Sequence, residues 1–238
     1  MKSENEMMMN TNPPMRWEVA SVKRSGTYHE TRGEACQDMT AVAHSDTVTA
    51  IALADGAGSC SRAEDGAHIA AEIAAQVLAR DAEQLETLED QDIRYHVLMT
   101  VRMTLDKYCW DEDIYLKDVG STLLAAAATK NNLLVIHLGD GWISQTDNEQ
   151  NRTFLSLPEN GRRRNQTYLT SMIPVLEHVR VQRIPIEQVD NVLLFSDGWE
   201  KEQVRYDFDE IDAALERGEV SMPHEDDVSA IRMRKTTN

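Results

Sequence analysis

Residues 47–80 read TVTAIALADGAGSCSRAEDGAHIAAEIAAQVLAR, and their reading governs the rest of the chain. Thr47–Ala54 is an apolar run of strand length, and Asp55-Gly56-Ala57-Gly58-Ser59 is a glycine-rich loop. From about Ala63 to Arg80 the chain is alanine-rich, with Ile69, Ile73, Val77 and Leu78 at helical spacing. The stretch therefore predicts strand, loop and helix, with a carboxylate at the strand's end. Upstream, Met39–His44 is joined to Thr47–Ala54 by Ser45-Asp46, which predicts a hairpin, and Trp17–Val22 predicts a further strand. Downstream, a second helix is expected within Gln91 to Trp110. The acidic link Asp81 to Asp92 has little to bury.

Short apolar runs follow at Ser121–Ala128, Leu133–Leu138, Trp142–Gln145, Val179–Ile184, Val192–Phe195 and Val228–Met233, with one more acidic helix near Lys201–Arg217. Strands first, two helices, then a series of strands with Asn-Asn and Gly-Asp-Gly turns predict an α+β fold. Its form is a two-sheet antiparallel β-sandwich flanked by helices. A doubly wound sheet would need regular strand-helix alternation, which is missing. Residues 1–14, with Asn-Pro and Pro-Pro steps and no periodicity, are expected to be a disordered tail, leaving one domain over 15–238.

The chain has 238 residues, 41 Asp+Glu against 24 Lys+Arg and a formal charge of −17, which disfavours binding to a nucleic-acid backbone. There is no run of about 18 apolar residues and no basic-then-apolar leader, so neither a membrane span nor export is expected and the cytosol is the expected location. Cys36, Cys60 and Cys109 form no CxxC pair and read as reduced thiols.

The carboxylate of Asp55-Gly56 is not isolated. Leu138-Gly139-Asp140-Gly141 and Phe195-Ser196-Asp197-Gly198 repeat an Asp-Gly at the end of an apolar strand, and Asp226-Asp227 directly precedes the terminal strand. A single Asp-Gly is most simply a turn. Several at strand ends could instead gather carboxylates that repel one another unless a hard divalent cation is bound. Sequence arithmetic leaves both readings open.

An ordered set of motifs then resembles the metal-dependent protein phosphatase 2C family, in its compact bacterial branch. They are Gly26-Thr27-Tyr28-His29, Cys36-Gln37-Asp38, Ala54-Asp55-Gly56, Gly120-Ser121-Thr122, His137-Leu138-Gly139-Asp140-Gly141, Asn165-Gln166-Thr167, Phe195-Ser196-Asp197-Gly198-Trp199 and Asp226-Asp227-Val228-Ser229. The resemblance implies a protein serine/threonine phosphatase with two Mn²⁺ or Mg²⁺ ions. Asp55 would bridge them, the Gly56 carbonyl would complete one shell, Asp197 and Asp226 would hold one ion, and Asp38 would reach the other. Asp118 resembles the ligand of a weaker third metal. Asp140 is read as supporting the loop and not as a ligand, and Asp226 is preferred over Asp227.

The resemblance also implies attack on phosphorus by a metal-bridging water, phosphorylated proteins as substrates, an opposing Ser/Thr kinase and a monomer. An arginine for the substrate phosphate is not in its usual place, so His29 or Arg32 is expected to take the role. Arg162, Arg163 and Arg164 could form a basic flap. A catalytically weak phosphoprotein-binding module is the alternative.

Other phosphatase chemistries fit less well. A thiolate nucleophile needs an arginine six residues on, but Val42, Gly66 and Tyr115 stand there. Asp111-Glu112-Asp113 does not follow an apolar strand, and the Gly56–Gly58 loop lacks the Gly-Lys-Ser/Thr of a nucleotide cradle.

Overall fold

The computed structural model describes residues 16–161, 167–200 and 207–236. The expected tail, the Arg162–Arg164 flap and the start of the acidic helix near Lys201 lie outside the described residues. In chain order the elements are β1 (Trp17–Arg24), α1 (Thr27–Glu30), β2 (Asp38–His44), β3 (Thr49–Asp55), α2 (Ala63–Leu85), α3 (Asp90–Glu112), β4 (Leu123–Ala128), β5 (Asn132–Leu138), β6 (Trp142–Thr146), β7 (Arg152–Ser156), β8 (Arg180–Pro185), β9 (Asn191–Phe195), α4 (Phe208–Arg217) and β10 (Val228–Lys235). Short 3₁₀ turns punctuate the loops, at Leu116–Val119 and Asp197–Trp199 among others.

Two five-stranded antiparallel sheets, ordered β1-β10-β9-β6-β7 and β2-β3-β4-β5-β8, form the expected sandwich. Strand alternation explains its layers. Along β3, Ile51 and Leu53 point into the space between the sheets, where Leu124, Leu133, Val135, Val192, Leu194 and Ile231 meet them. Ala50, Ala52 and Ala54 point the other way, against Ala67, Ala70, Ala71 and Ala74 of α2. Large side chains thus fill the sheet interface and small ones let the helix come close. On the far sheet, Trp142, Phe195 and Trp199 pack against Ile211 and Leu215 of α4. No helix among the described residues is long and apolar enough to cross a membrane.

Gly66 marks the closest approach of α2. A Cβ there would lie 2.1 Å from the Val119 carbonyl oxygen. Alanine would gain about 1 kcal/mol of helix propensity, but a clash with backbone costs more. Gly66→Ala is expected to destabilise the protein by about 2 kcal/mol in chemical denaturation, and an unchanged midpoint would refute the close approach.

Three expectations change. The acidic link Asp81 to Asp92 is mostly helix, since α2 runs to Leu85 and α3 starts at Asp90. Its acids find partners: Asp81 meets His96 Nε2 at 2.8 Å, Asp90 meets Arg183 at 2.6 Å, and the Glu86 carboxylate accepts from Thr129, Asn131 and Asn132 at the β4–β5 turn. β7 had no apolar run to announce it, because it is an edge strand paired only with β6. α1 is a single turn with one buried residue, His29, and is too short for a periodicity to show.

Candidate metal centre

The sandwich brings its acidic strand ends to one edge. Antiparallel pairing sets Asp38, the first residue of β2, directly opposite Asp55, the last of β3. Past Asp55 the chain is tied down on both sides. Thr122 Oγ1 accepts from the Asp55 amide at 2.9 Å, the Asp55 carbonyl accepts from the Thr122 amide at 2.9 Å, and Gly56 N–H donates to the Gln37 carbonyl at 3.2 Å. Gly56 leaves no room for a side chain, since a Cβ would lie 2.7 Å from the Ala63 carbonyl oxygen and 2.9 Å from that of Gln37.

Asp197 begins the turn after β9. That turn is pinned to β10 by Trp199 Nε1 donating to the Ser229 carbonyl at 2.9 Å. Asp226 stands in the loop before β10, its Oδ1 accepting from the Asp227 amide at 2.9 Å. Asp55, Gly56, Asp140, Asp197 and Asp226 together line one cleft of about 1310 Å³.

Asp38 lies beneath this cleft, 1% exposed, and neither carboxylate oxygen has a well-formed hydrogen-bond partner. Burial pushes its carboxyl up to about 6, with the neighbouring charge of Asp227 adding to it and the Ser229 and Ser196 hydroxyls offsetting only part. Asp55 is held well above the usual carboxylate range by burial first, then by Asp38, Asp197, Asp140 and Asp226. Asp197 is pushed up to about 7 by burial, then by Asp140 and Asp226. Among the described residues lining the cleft there is no lysine or arginine to balance them.

Such a set of hard oxygen donors, with orphaned oxygens at its base and no internal counter-charge, suits a hard divalent cation. Among the described residues no three or more His, Cys, Asp or Glu side chains stand close enough together, as placed, to hold a metal ion. The carboxylates share a cleft, but mutual repulsion gives them no reason to converge further without a cation.

The expected residues sort as follows. Asp55, Gly56, Asp197 and Asp226 line one cleft, and Asp38 does not line it but pairs across the strands with Asp55. Asp118 is not among the residues lining the cleft: its carboxylate accepts from the Tyr115 amide at 3.0 Å and caps the Leu116–Val119 turn. Asp140, set aside in the sequence reading, does line the cleft, and burial raises its carboxyl, with Glu200 and Asp226 adding to the effect. The signal for it was its membership of the Asp-Gly series itself.

Asp227 has a different task. Its Oδ1 accepts from Gly26 N at 2.7 Å and meets His29 Nδ1 at 2.9 Å, and its Oδ2 accepts from Gln37 N at 2.6 Å. It clamps the loops that carry α1 and Asp38, and both Asp226 and Asp227 line the cleft. His29 is 6% exposed and lines the cleft. Arg32 does not: its guanidinium lies over the Tyr28 ring, 3.8 Å from the centroid, in an adjoining groove. His224 and Glu210 also line the cleft, 3.8 Å apart, and no sequence motif had marked them.

The thiols are free, and burial beside Asp38 and Asp227 pushes the Cys36 thiol up, the opposite of what a nucleophile needs. Asp113 ends α3 in the left-handed conformation, exposed, as a helix terminus does.

Comparison with known proteins adds to this geometry. A family model described as protein phosphatase 2C matches residues 25–231. Serine/threonine-protein phosphatase 3 of Escherichia coli (strain K12) is 22% identical over 134 residues, 54% of this chain and 53% of that protein, so the match spans about half of each. The fold is similar to that of serine/threonine phosphatase Stp1 from Staphylococcus aureus, with a TM-score of 0.63, 14% identity and coverage of 94% of this chain and 97% of that one. It is also similar to RsbX, solved in complex with magnesium, with a TM-score of 0.55, 13% identity and coverage of 93% and 100%.

Proposed function

The chain belongs to the protein phosphatase 2C family, and from that membership we propose that it hydrolyses phosphoserine and phosphothreonine on proteins with two Mn²⁺ or Mg²⁺ ions in the carboxylate cleft, opposing a serine/threonine kinase. The observation that carries this reading is Asp38, buried with orphaned carboxylate oxygens and paired across the strands with Asp55, which lines a cleft together with Asp197 and Asp226. The magnesium in the RsbX structure and the name of the Escherichia coli relative support it.

When bound, the ions would supply a water acidified toward neutrality and would neutralise charge on the phosphoryl oxygens. The residues of this chain hold and aim them. Asp55 would sit at the middle of the ligand set, Asp38 would anchor it from below, Asp197 and Asp226 would hold one side, and the Gly56 carbonyl would complete it. For a third ion Asp118 remains the residue the family resemblance implies, and Asp140, which lines the cleft, is a second candidate. Tyr28, Tyr168, Leu169 and Met172 supply apolar wall to the same cleft, against which a peptide can lie.

The test is hydrolysis of a phosphothreonine peptide with and without Mn²⁺. Turnover that appears with Mn²⁺ and disappears with a chelator is expected. A folded protein that binds the peptide but shows no metal-dependent turnover would sink the enzyme reading and leave a phosphoprotein-binding module.

A further inference from the structure

We propose that Arg102, a residue of α3 outside the cleft, positions the cleft wall formed by Tyr168, Leu169 and Met172 and so sets how tightly the peptide part of the substrate is held. This rests on the phosphatase reading above.

No residue of α3 lines the cleft. Arg102 acts on it through the backbone of the wall. Its side chain is buried, 9% exposed, and Nη1 donates to the Thr170 carbonyl at 3.1 Å and to the Met172 carbonyl. Between and before those two carbonyls runs a turn in which the Met172 amide donates to the Leu169 carbonyl at 3.0 Å. One planar, charged donor group thus grips the turn at two points, and with it the direction in which Tyr168, Leu169 and Met172 face.

The same turn is tied to the carboxylates on its other side. The Thr170 amide donates to the Ser121 carbonyl at 2.8 Å, and Thr170 Oγ1 lies 3.3 Å from the Ser121 hydroxyl. Ser121 is bridged to Gly56, and the neighbouring Thr122 holds the Asp55 amide. The wall therefore stands in register with the Asp55 loop on one side and hangs from α3 on the other.

Core packing alone does not ask for an arginine at this position. Leu98, Val101 and Leu105 of the same helix are buried and apolar, and an apolar side chain at 102 would extend that face. Burying a guanidinium costs desolvation, offset only where its donors are taken up. Here they go to two carbonyls of the wall, with no carboxylate partner among the described residues. Because the wall is mainly apolar, its placement bears on the chain to either side of the phosphorylated residue and not on phosphorus itself.

A phosphothreonine peptide has a chain to lay along the wall, whereas p-nitrophenyl phosphate has none. Arg102→Met keeps an unbranched apolar stem and removes the donors. With Mn²⁺ it is expected to raise KM for the peptide about 10-fold with kcat within about 3-fold, and to change kcat/KM on p-nitrophenyl phosphate by less than about 3-fold, with unchanged half-saturation by Mn²⁺. Arg102→Lys, which keeps the charge without the fork, is expected to raise the peptide KM about 3-fold. A purely structural role would lower the melting temperature without separating the two substrates. Equal losses on both substrates, an unchanged peptide KM, or a loss confined to kcat would overturn the assignment.

Should Arg102→Met fail to fold by circular dichroism, Arg102→Lys decides through the same comparison. Failure of both to fold would make Arg102 a folding residue and overturn the proposal. Wild-type protein that hydrolyses neither substrate in a metal-dependent way would overturn the phosphatase reading and this assignment together, whereas the other results leave that reading standing.

Discussion

Replacing Asp55 by asparagine is expected to abolish turnover and, at the same time, to make the metal-free protein more stable above neutral pH. Residues one layer behind a metal ligand typically cost about 10–100-fold when removed. A carboxylate central to the site should exceed that, so a loss of about 10³-fold or more in kcat/KM is expected for Asp55→Asn. The stability gain follows from the same geometry. Asp55 is partly buried, the charges of Asp38, Asp197, Asp140 and Asp226 push its carboxyl up further, and an amide in its place removes one charge from a set that repels itself.

The pH dependence has a definite sign. Asp38 and Asp197 are raised from 3.8 to about 6 and about 7, so between about pH 4 and pH 7 the folded protein holds more protons than the unfolded chain. Stability in a chelator should therefore be greatest at the acid end of that window and fall as pH rises through 6 and 7. Saturating Mn²⁺ should remove the fall, because a bound cation favours the ionised carboxylates. Thermal melts at pH 5 and pH 8, with Mn²⁺ and with chelator, check both statements. If Asp55→Asn melted well below wild type in chelator at pH 8, its inactivity would reflect misfolding; if it kept activity within tenfold of wild type, the metal assignment would be wrong.

The sandwich was readable because β3 obeys a period of two so plainly, Ala-Ile-Ala-Leu-Ala, and because α2 is apolar at helical spacing. The convergence of Asp55, Asp197 and Asp226 was readable from a shared local habit, an acidic residue at or beside a strand end. What failed to show has physical causes. Asp118 sits in a 3₁₀ turn and Asp140 in the bend between β5 and β6, and which of two such residues lines a cleft depends on register and turn geometry that spacing does not encode. The Asp118 carboxylate caps a turn, and Asp140 lines the same cleft as Asp197. The partnership of Asp227 with His29 spans 198 residues, so no window of sequence contains it. Arg32 looked available for phosphate because charge counts in sequence carry no direction; its stacking on Tyr28 takes it to the neighbouring groove.

Gly198→Ala should be the most disruptive small change outside the carboxylates themselves. A Cβ at Gly198 would stand 1.9 Å from the Asp227 carbonyl oxygen and 2.9 Å from its carbon, which is backbone against backbone with no flexible side chain to give way. Relief to ordinary contact requires the Asp197–Trp199 turn and the Asp226–Asp227 loop to separate by about 1 Å or more. That motion moves Asp197 away from Asp226. It also drags Asp227 from the Gly26 and Gln37 amides and from His29, so both the carboxylate set and the clamp behind it are disturbed by one methyl group.

A loss of about 3 kcal/mol in unfolding free energy is expected for the overpacking, with activity at saturating Mn²⁺ down by about 10²-fold, since a misplacement of about 1 Å near the reacting atoms costs that much. Gly58 provides the contrast in the loop on the other side of the cleft. Nothing lies within 4 Å of a Cβ there, so Gly58→Ala should hold or slightly raise the melting temperature by restricting the unfolded chain. If the two variants melted alike, the tight turn against Asp227 would not be what holds Asp197 and Asp226 together.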